Sequence, residues 1–424
     1  VPDRGRRTAA ALALLAIAAC VAEHPAAPAL PAARNLVVIT IDTLRADRVG
    51  VYGYAAARTP AIDALARRGA QFDRAFAPTP MTLPSHASLF TGRYPPAHHA
   101  RHNGMSLDPQ VPLLADVLSK HGLSTAAFIA AFPLDGRFGL KRGFGTYGDR
   151  MPRRRDGRAA NERPGRLVVD EALEWLTRNR GGRFFLWVHL FEPHSPYGDP
   201  EDPGRASRPA LARYDDEVAE ADRQVGRLID GIGADAASTL IVLASDHGEA
   251  FGEHGEVGHS LFVYDTTLRV PLIVAGPGVP EGRRVNDAVA LIDVAPTVLR
   301  LLGIAGATFD ADGTDLRPAL DGGALARREL YAESFAPLFD FGWSGLRALR
   351  ADGWKYIAAP RTELYDLAAD GDETNNLVDR DPARARTLAA RVDRYSGAEP
   401  AATTAPDPEA ASRLRALGYA SGGP

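Results

Sequence analysis

A single cysteine, Cys20, in 424 residues excludes an internal disulfide framework, so packing and hydrogen bonding alone must hold the fold. Lysine is nearly absent as well: Lys120, Lys141 and Lys355 stand among 49 basic residues, the rest being arginine. Any site that needs an ammonium group therefore has three candidates. A formal net charge of −4 argues against a nucleic-acid partner, since phosphate-tracking surfaces carry a strong basic excess. No apolar stretch reaches the length of a membrane span. What is present is the makeup of a large globular protein, 45% hydrophobic and 24% charged, long enough for one large domain and a smaller one.

The N-terminus carries its own signal. Arg4, Arg6 and Arg7 precede the apolar stretch Ala9 to Ala19, too short and alanine-rich to cross a bilayer but suited to a signal-peptide core. It ends in Ile17-Ala18-Ala19-Cys20, which resembles the lipobox of a bacterial lipoprotein, where the cysteine is acylated and becomes the new N-terminus. A plain signal peptide is the alternative. The expectation is an exported protein, periplasmic or outer-membrane-associated, touching the membrane only through a lipid on Cys20. Residues 1–19 are then the signal peptide and the Pro/Ala-rich 20–33 a tether.

From Asn35 the texture is α/β. Asn35-Leu36-Val37-Val38-Ile39-Thr40-Ile41 is a β-branched run without alternation, as expected of a strand buried on both faces, and it ends in Asp42. Strands are also expected at Ser124–Ala130, Phe184–Leu190, Thr239–Ser245 and Val270–Ala275. Helices are expected at Pro60–Gly69, Val111–Lys120, Leu167–Asn179 and Leu211–Ile232. This alternation predicts a sandwich with a mostly parallel central sheet flanked by helices over 34–322. Short strands at Glu329–Ser334, Leu346–Arg350, Trp354–Ala358 and Glu363–Leu367, then a helix at Asp381–Tyr395, predict a small antiparallel subdomain over 323–399. Residues 400–424 read as a tail.

Three apolar strands end in polar groups: Asp42 after the first, His194 shortly after Leu190, and Asp246-His247 after Ser245. In open α/β sheets ligands bind beyond the carboxyl ends of the strands, so these groups can converge. Thr82, at the head of Thr82-Leu83-Pro84-Ser85-His86, sits where a helix would start, with free N–H groups and a positive dipole end. It suits either a helix cap or a hydroxyl that joins the set. Two carboxylates, an imidazole and an alkoxide from Asp42, Asp246, His247 and Thr82 suit one divalent ion, Zn²⁺ or Mn²⁺ ahead of Ca²⁺ or Mg²⁺. Coordination would let Thr82 act as a nucleophile. His194, His259 and Asn103 are the candidate donors to a bound anion, with a histidine as general acid, and His86 is a further catalytic candidate. Arg45 is expected to pair with Asp47 instead.

With these motifs in place the chain resembles the sulfatase branch of the alkaline phosphatase superfamily, from Asn35 to about Tyr419. The resemblance rests on Val38 to Asp47, Thr59 to Ala66, Thr82 to Gly92, Phe191 to Tyr197, Asp246-His247-Gly248-Glu249 with Gly252 to Gly255, Arg269 to Val274, and Glu363 to Leu367. It implies a metal-dependent hydrolase of sulfate or phosphate/phosphonate esters. Sulfatases of this kind use a cysteine or serine converted to formylglycine, which Thr82 cannot become. His86 stands where they carry arginine, Thr43 where they carry a second aspartate, and His259 where many carry lysine. Their Gly-Lys-Trp-His segment has no counterpart near Ala126 to Gly139. The metal set is similar to that of lipoteichoic acid synthases and phosphoethanolamine transferases, and the segment after the first strand to that of phosphonate monoester hydrolases. Phosphorus esters are therefore favoured, in a sulfated or phosphorylated small molecule, glycan or lipid. A silent lipoprotein that binds such a glycan or lipid is the alternative.

Overall fold

The computed structural model describes residues 32–153, 160–198, 204, 207–304, 309–395, 408–417 and 419. The expected signal peptide, Cys20 and all but the last two residues of the tether lie outside them.

Fourteen strands follow in chain order: β1 Asn35–Ile41, β2 Gly69–Phe76, β3 Ser124–Phe128, β4 Thr146–Gly148, β5 Phe184–Leu190, β6 Thr239–Ser245, β7 Ala250–Phe251, β8 Val257–Gly258, β9 Arg269–Ala275, β10 Arg283–Ala290, β11 Leu330–Ser334, β12 Leu346–Ala351, β13 Trp354–Ala358 and β14 Glu363–Asp366. Eight form the central sheet in the order β10-β2-β9-β6-β1-β5-β3-β4. It is parallel throughout except for β9, which runs antiparallel to both β2 and β6. β7 and β8 make a two-stranded hairpin, and β11 to β14 a separate antiparallel sheet. The expected fold class holds.

β1 lies in the middle, and all seven of its residues are buried. Successive side chains of a strand point to opposite faces. Leu36 and Val38 accordingly join one core with Phe185 and Trp187, while Val37, Ile39 and Ile41 join the other with Leu186 and Val188. A run that is mostly apolar on both faces is what such two-sided burial demands. The helix Thr82–Thr91, buried at all ten positions, sends Leu83, Ala87 and Phe90 into the first core. The helices Pro60–Arg67, Gly165–Arg178 and Ala210–Ile232 cover the second.

Register decides where the chemistry can sit. Ile41 is level with Leu190 of β5 on one side and Ser245 of β6 on the other. Asp42, Phe191 and Asp246 therefore leave the sheet together. Just beyond, a Cβ on Gly248 would lie 2.5 Å from the Thr266 carbonyl oxygen, so the turn after His247 tolerates only glycine.

Five strands, β2, β4, β7, β8 and β10, escaped the sequence reading, as did the short helices and two of eight residues or more. β2 and β10 are less uniformly apolar than the strands it found, with polar positions at Asp73-Arg74 and at Asn286-Asp287. The two longer helices are Val294–Leu301 and Pro408–Ala416, the second lying in what reads as a polar tail. Ala410 and Leu414 of that helix are each 1% exposed, and the Arg413 guanidinium rests 3.6 Å over the Phe132 ring.

Candidate active site

Asp42 Oδ1, Asp246 Oδ2 and His247 Nε2 converge at the carboxyl end of β1 and β6. One ligand atom from each lies within 4.8 Å of the others, and all three side chains are buried. Among the described residues none of the three atoms has a hydrogen-bond partner. Their other polar atoms are engaged. His189 Nε2 lies 3.3 Å from Asp42 Oδ2, the Thr43 and His247 N–H groups donate to Asp246 Oδ1, and His247 Nδ1 lies 3.0 Å from the Gly248 carbonyl oxygen. Such outer partners fix the orientation of metal ligands and the tautomer of the histidine.

The electrostatics point the same way. Burial pushes the Asp42 carboxyl up to about 8, and burial together with the Asp42 charge raises Asp246 well above the usual carboxylate range. Burial, with the His259 charge, holds His247 neutral. Two unpartnered carboxylates beside a neutral imidazole lone pair form a costly arrangement that a divalent cation resolves. The residues present fit a metal ion.

Thr82 is the first residue of its helix, and the N-cap position belongs to Met81 and not to Thr82. Among the described residues that hydroxyl has one hydrogen-bond partner, the phenol of Tyr419 at 3.2 Å. His86 connects Thr82 to the carboxylate cluster: its Nδ1 is 2.8 Å from the Thr82 carbonyl oxygen and 3.5 Å from Asp246 Oδ2. Its Nε2 is held by Thr40 Oγ1 at 2.9 Å, which leaves neither ring nitrogen free for a substrate.

His194 and His259 meet across the site with ring centroids 5.1 Å apart, and His259 is 4.5 Å from His247. They carry opposite charge states. His259 Nδ1 lies 2.9 Å from Glu249 Oε1; although burial works against the charge, the carboxylate and its hydrogen bond push His259 up to about 9. Burial and the His259 charge hold His194 down to about 3, with its Nδ1 on the Ser195 carbonyl. Asn103 accepts the Leu83 N–H at 2.9 Å through Oδ1, leaving its buried amide Nδ2 without a partner. It can serve as a neutral donor at the same helix start.

Arg45 is taken up as expected. Its guanidinium binds both Asp47 oxygens, Glu253 Oε1 at 2.7 Å and the Glu249 carbonyl, so it braces the Glu249 loop. Thr43 holds φ 53°, a rare conformation for a β-branched residue, with its carbonyl accepting the Tyr214 hydroxyl. His98, His99 and His102 stay out of the site; His98 binds Ser88 Oγ and His102 lies 3.2 Å from Asp340.

Three site neighbours were not singled out from sequence. His189 closes an apolar strand and reads as core. Glu249 lies inside a quoted motif, where its partner ten residues on is not evident. Tyr419 lies in the tail.

The family model "Sulfatase" matches residues 34–304, and "N-sulphoglucosamine sulphohydrolase, C-terminal" matches 252–394. Arylsulfatase K of Bos taurus is 24% identical over 88% of this chain and 84% of its own. The phosphonate monoester hydrolase of Agrobacterium radiobacter superposes with a TM-score of 0.72 at 23% identity, covering 85% of this chain and 95% of that one. BT4656 in complex with its substrate D-glucosamine-2-N,6-O-disulfate superposes with a TM-score of 0.71 at 18% identity, covering 86% and 98%. The chain belongs to the sulfatase family of the alkaline phosphatase superfamily, a family of sulfuric ester hydrolases.

Proposed function

We propose that the protein hydrolyses phosphorus esters, ahead of sulfate esters, with Thr82 as the nucleophile. The observation that carries this reading is the set of three unpartnered atoms on Asp42, Asp246 and His247, linked through His86 to the backbone of Thr82 at the start of its helix. A threonine supports phosphorus because it cannot become the aldehyde hydrate that sulfate-ester hydrolysis uses in this family.

Asp42, Asp246 and His247, with Thr82 as the fourth group, would hold a divalent ion, for which this mixed O/N set favours Zn²⁺ or Mn²⁺; the ion supplies a Lewis acid that makes a hydroxyl more acidic. Thr82, having given up its hydroxyl proton to solvent, forms an Oγ–P bond as the ester P–O bond breaks, and the departing alcohol takes its proton from His259 Nε2. Water then cleaves the Thr82 ester, returning a proton to His259. The Asn103 amide donates to a non-bridging oxygen, whereas neutral His194, with its proton on Nδ1, offers only a lone pair at Nε2. His86 keeps the Thr82 backbone in place. The substrate is a phosphorylated or sulfated small molecule, glycan or lipid, met by an exported lipoprotein tethered through Cys20.

Paired assays with an aryl phosphate, a phosphate diester, a phosphonate and an aryl sulfate test the reading. Phosphorus esters should turn over faster than the sulfate, and Thr82→Ala should lose more than about a thousandfold in kcat with an unchanged thermal midpoint. Full activity in Thr82→Ala would remove Thr82 from the mechanism, and a faster sulfate reaction would overturn the preference.

A further inference from the structure

The Tyr419 hydroxyl touches three candidate catalytic groups at once. It lies 3.2 Å from Thr82 Oγ1, 3.3 Å from His194 Nε2 and 3.2 Å from His259 Nε2. A phenol offers one proton and two lone pairs, so three partners saturate it in one way only if the partners' own protons are fixed. Here they are. Nδ1 of His194 faces a backbone carbonyl and Nδ1 of His259 a carboxylate, acceptors both, so each Nδ1 carries a proton. If both rings were neutral, both Nε2 atoms would need the single phenol proton. His259, paired with the buried carboxylate, is the ring that carries the second proton and donates from Nε2. Tyr419 then donates to His194, and the phenol's remaining lone pair accepts the Thr82 O–H.

The arrangement fixes the nucleophile. With its proton committed to Tyr419, the Thr82 oxygen keeps its lone pairs turned away from the phenol. Tyr419 is also built into the protein core and is not a loosely laid strap. It is 3% exposed and belongs to the same buried cluster as Ala410 and Leu414, and Arg413 donates to the Ala160 carbonyl at 2.8 Å and to Asn161 Oδ1 at 3.1 Å. Withdrawing it would return a leucine and a tyrosine side chain to water.

We propose that Tyr419 is a positioning residue of this active site, holding the Thr82 hydroxyl in one rotamer and tying it to His194 and His259. The inference rests on the reading of Thr82 as a nucleophile. Tyr419→Phe in the full chain removes one oxygen and keeps the ring. On the ester that the wild type turns over fastest, kcat should fall about 10- to 100-fold while KM stays within about twofold. In methyl-labelled threonine spectra, the three-bond couplings of Thr82 should change from those of a single χ1 rotamer to an average. A kcat within about twofold of wild type, unchanged Thr82 couplings, or a rise in kcat with tighter binding of inorganic phosphate would overturn the proposal. The last result would mean that the phenol merely fills the ester site. If the wild type hydrolyses none of the esters, the proposed function fails, and the Thr82 couplings alone decide for or against the positioning role.

Discussion

Glu249 Oε1 and His259 Nδ1 lie 2.9 Å apart with the carboxylate wholly shielded from solvent, and Tyr197 donates to the other carboxylate oxygen at 2.7 Å. Burial acts to raise the Glu249 carboxyl, but the His259 charge and the two hydrogen bonds hold it below the usual carboxylate range. The pair is what keeps an imidazolium in the interior beside His247 and His194. Glu249→Gln preserves the shape and removes the charge, so His259 should lose its extra proton. We expect kcat to fall about 10- to 100-fold for esters with an alkyl leaving group and much less for p-nitrophenyl esters, which need no general acid. Equal losses on both classes would place the pair in folding and not in proton transfer.

The metal ligands should behave oppositely in the loaded and the stripped protein. Asp246 Oδ2 is 3.5 Å from His247 Nε2, two acceptors facing each other. Asp246→Asn keeps Oδ1 as acceptor for the Thr43 and His247 N–H groups and turns a donor toward the imidazole lone pair. In chelated samples alkaline enough to ionise Asp246, Asp246→Asn should be more stable than wild type by about 1–3 kcal/mol, because a buried unsatisfied acceptor becomes a hydrogen bond. With Zn²⁺ or Mn²⁺ in excess the order should reverse, since the wild type gains the larger binding term. Urea titrations with and without chelator read both signs. The same order in both conditions would argue against a metal at these residues.

The parts of this site that could be read from sequence are those that end apolar strands. Asp42 and Asp246-His247 each follow a run of buried β-branched or aliphatic residues, and parallel strands in register bring such ends together. Thr82 was legible from the proline and the helix-forming residues after it. His189 was not, because its partner is a carboxylate 147 residues earlier, just past the end of the neighbouring strand. Tyr419 is the extreme case, 337 residues from Thr82 in a polar segment with no periodic apolar run to mark it. β2 and β10 escaped for a related reason: each carries charged positions that a wholly buried strand would not tolerate.

Lys355, one of three lysines, is structural. On β13 and 2% exposed, its Nζ lies 2.9 Å from Asp265 Oδ1 and 2.6 Å from Glu373 Oε1, the second contact being an ion pair without a well-aligned hydrogen bond. Arg350 on β12 also grips Asp265. The four groups clamp the antiparallel sheet to the segment that follows the site loop. Lys355→Met leaves the Glu373 carboxylate buried beside Asp265, and removing one member of a buried pair costs about 3–5 kcal/mol. Adding Glu373→Gln should recover most of that loss in urea denaturation. An additive double variant would mean that the two side chains do not interact.

His98 gives the fold an acid sensitivity of its own. Its Nδ1 accepts the Ala100 N–H at 3.3 Å and its Nε2 lies 2.9 Å from Ser88 Oγ, which requires a neutral ring with the proton on Nε2. Burial, helped by His99, holds it down to about 3. An unfolded histidine titrates near about 6.5, so between about 3 and 6.5 the unfolded chain binds the extra proton and the folded chain does not. The stability that His98 contributes is therefore complete above about pH 6.5 and is lost as the pH falls toward about 3, with a slope approaching about 1.4 kcal/mol per unit. His98→Gln should remove one proton's worth of that slope. Between pH 6.5 and 5 the gap between variant and wild type should narrow by about 2 kcal/mol in urea titrations, whatever its size at neutral pH. Parallel pH dependences for the two proteins would mean that His98 is already protonated in the folded state.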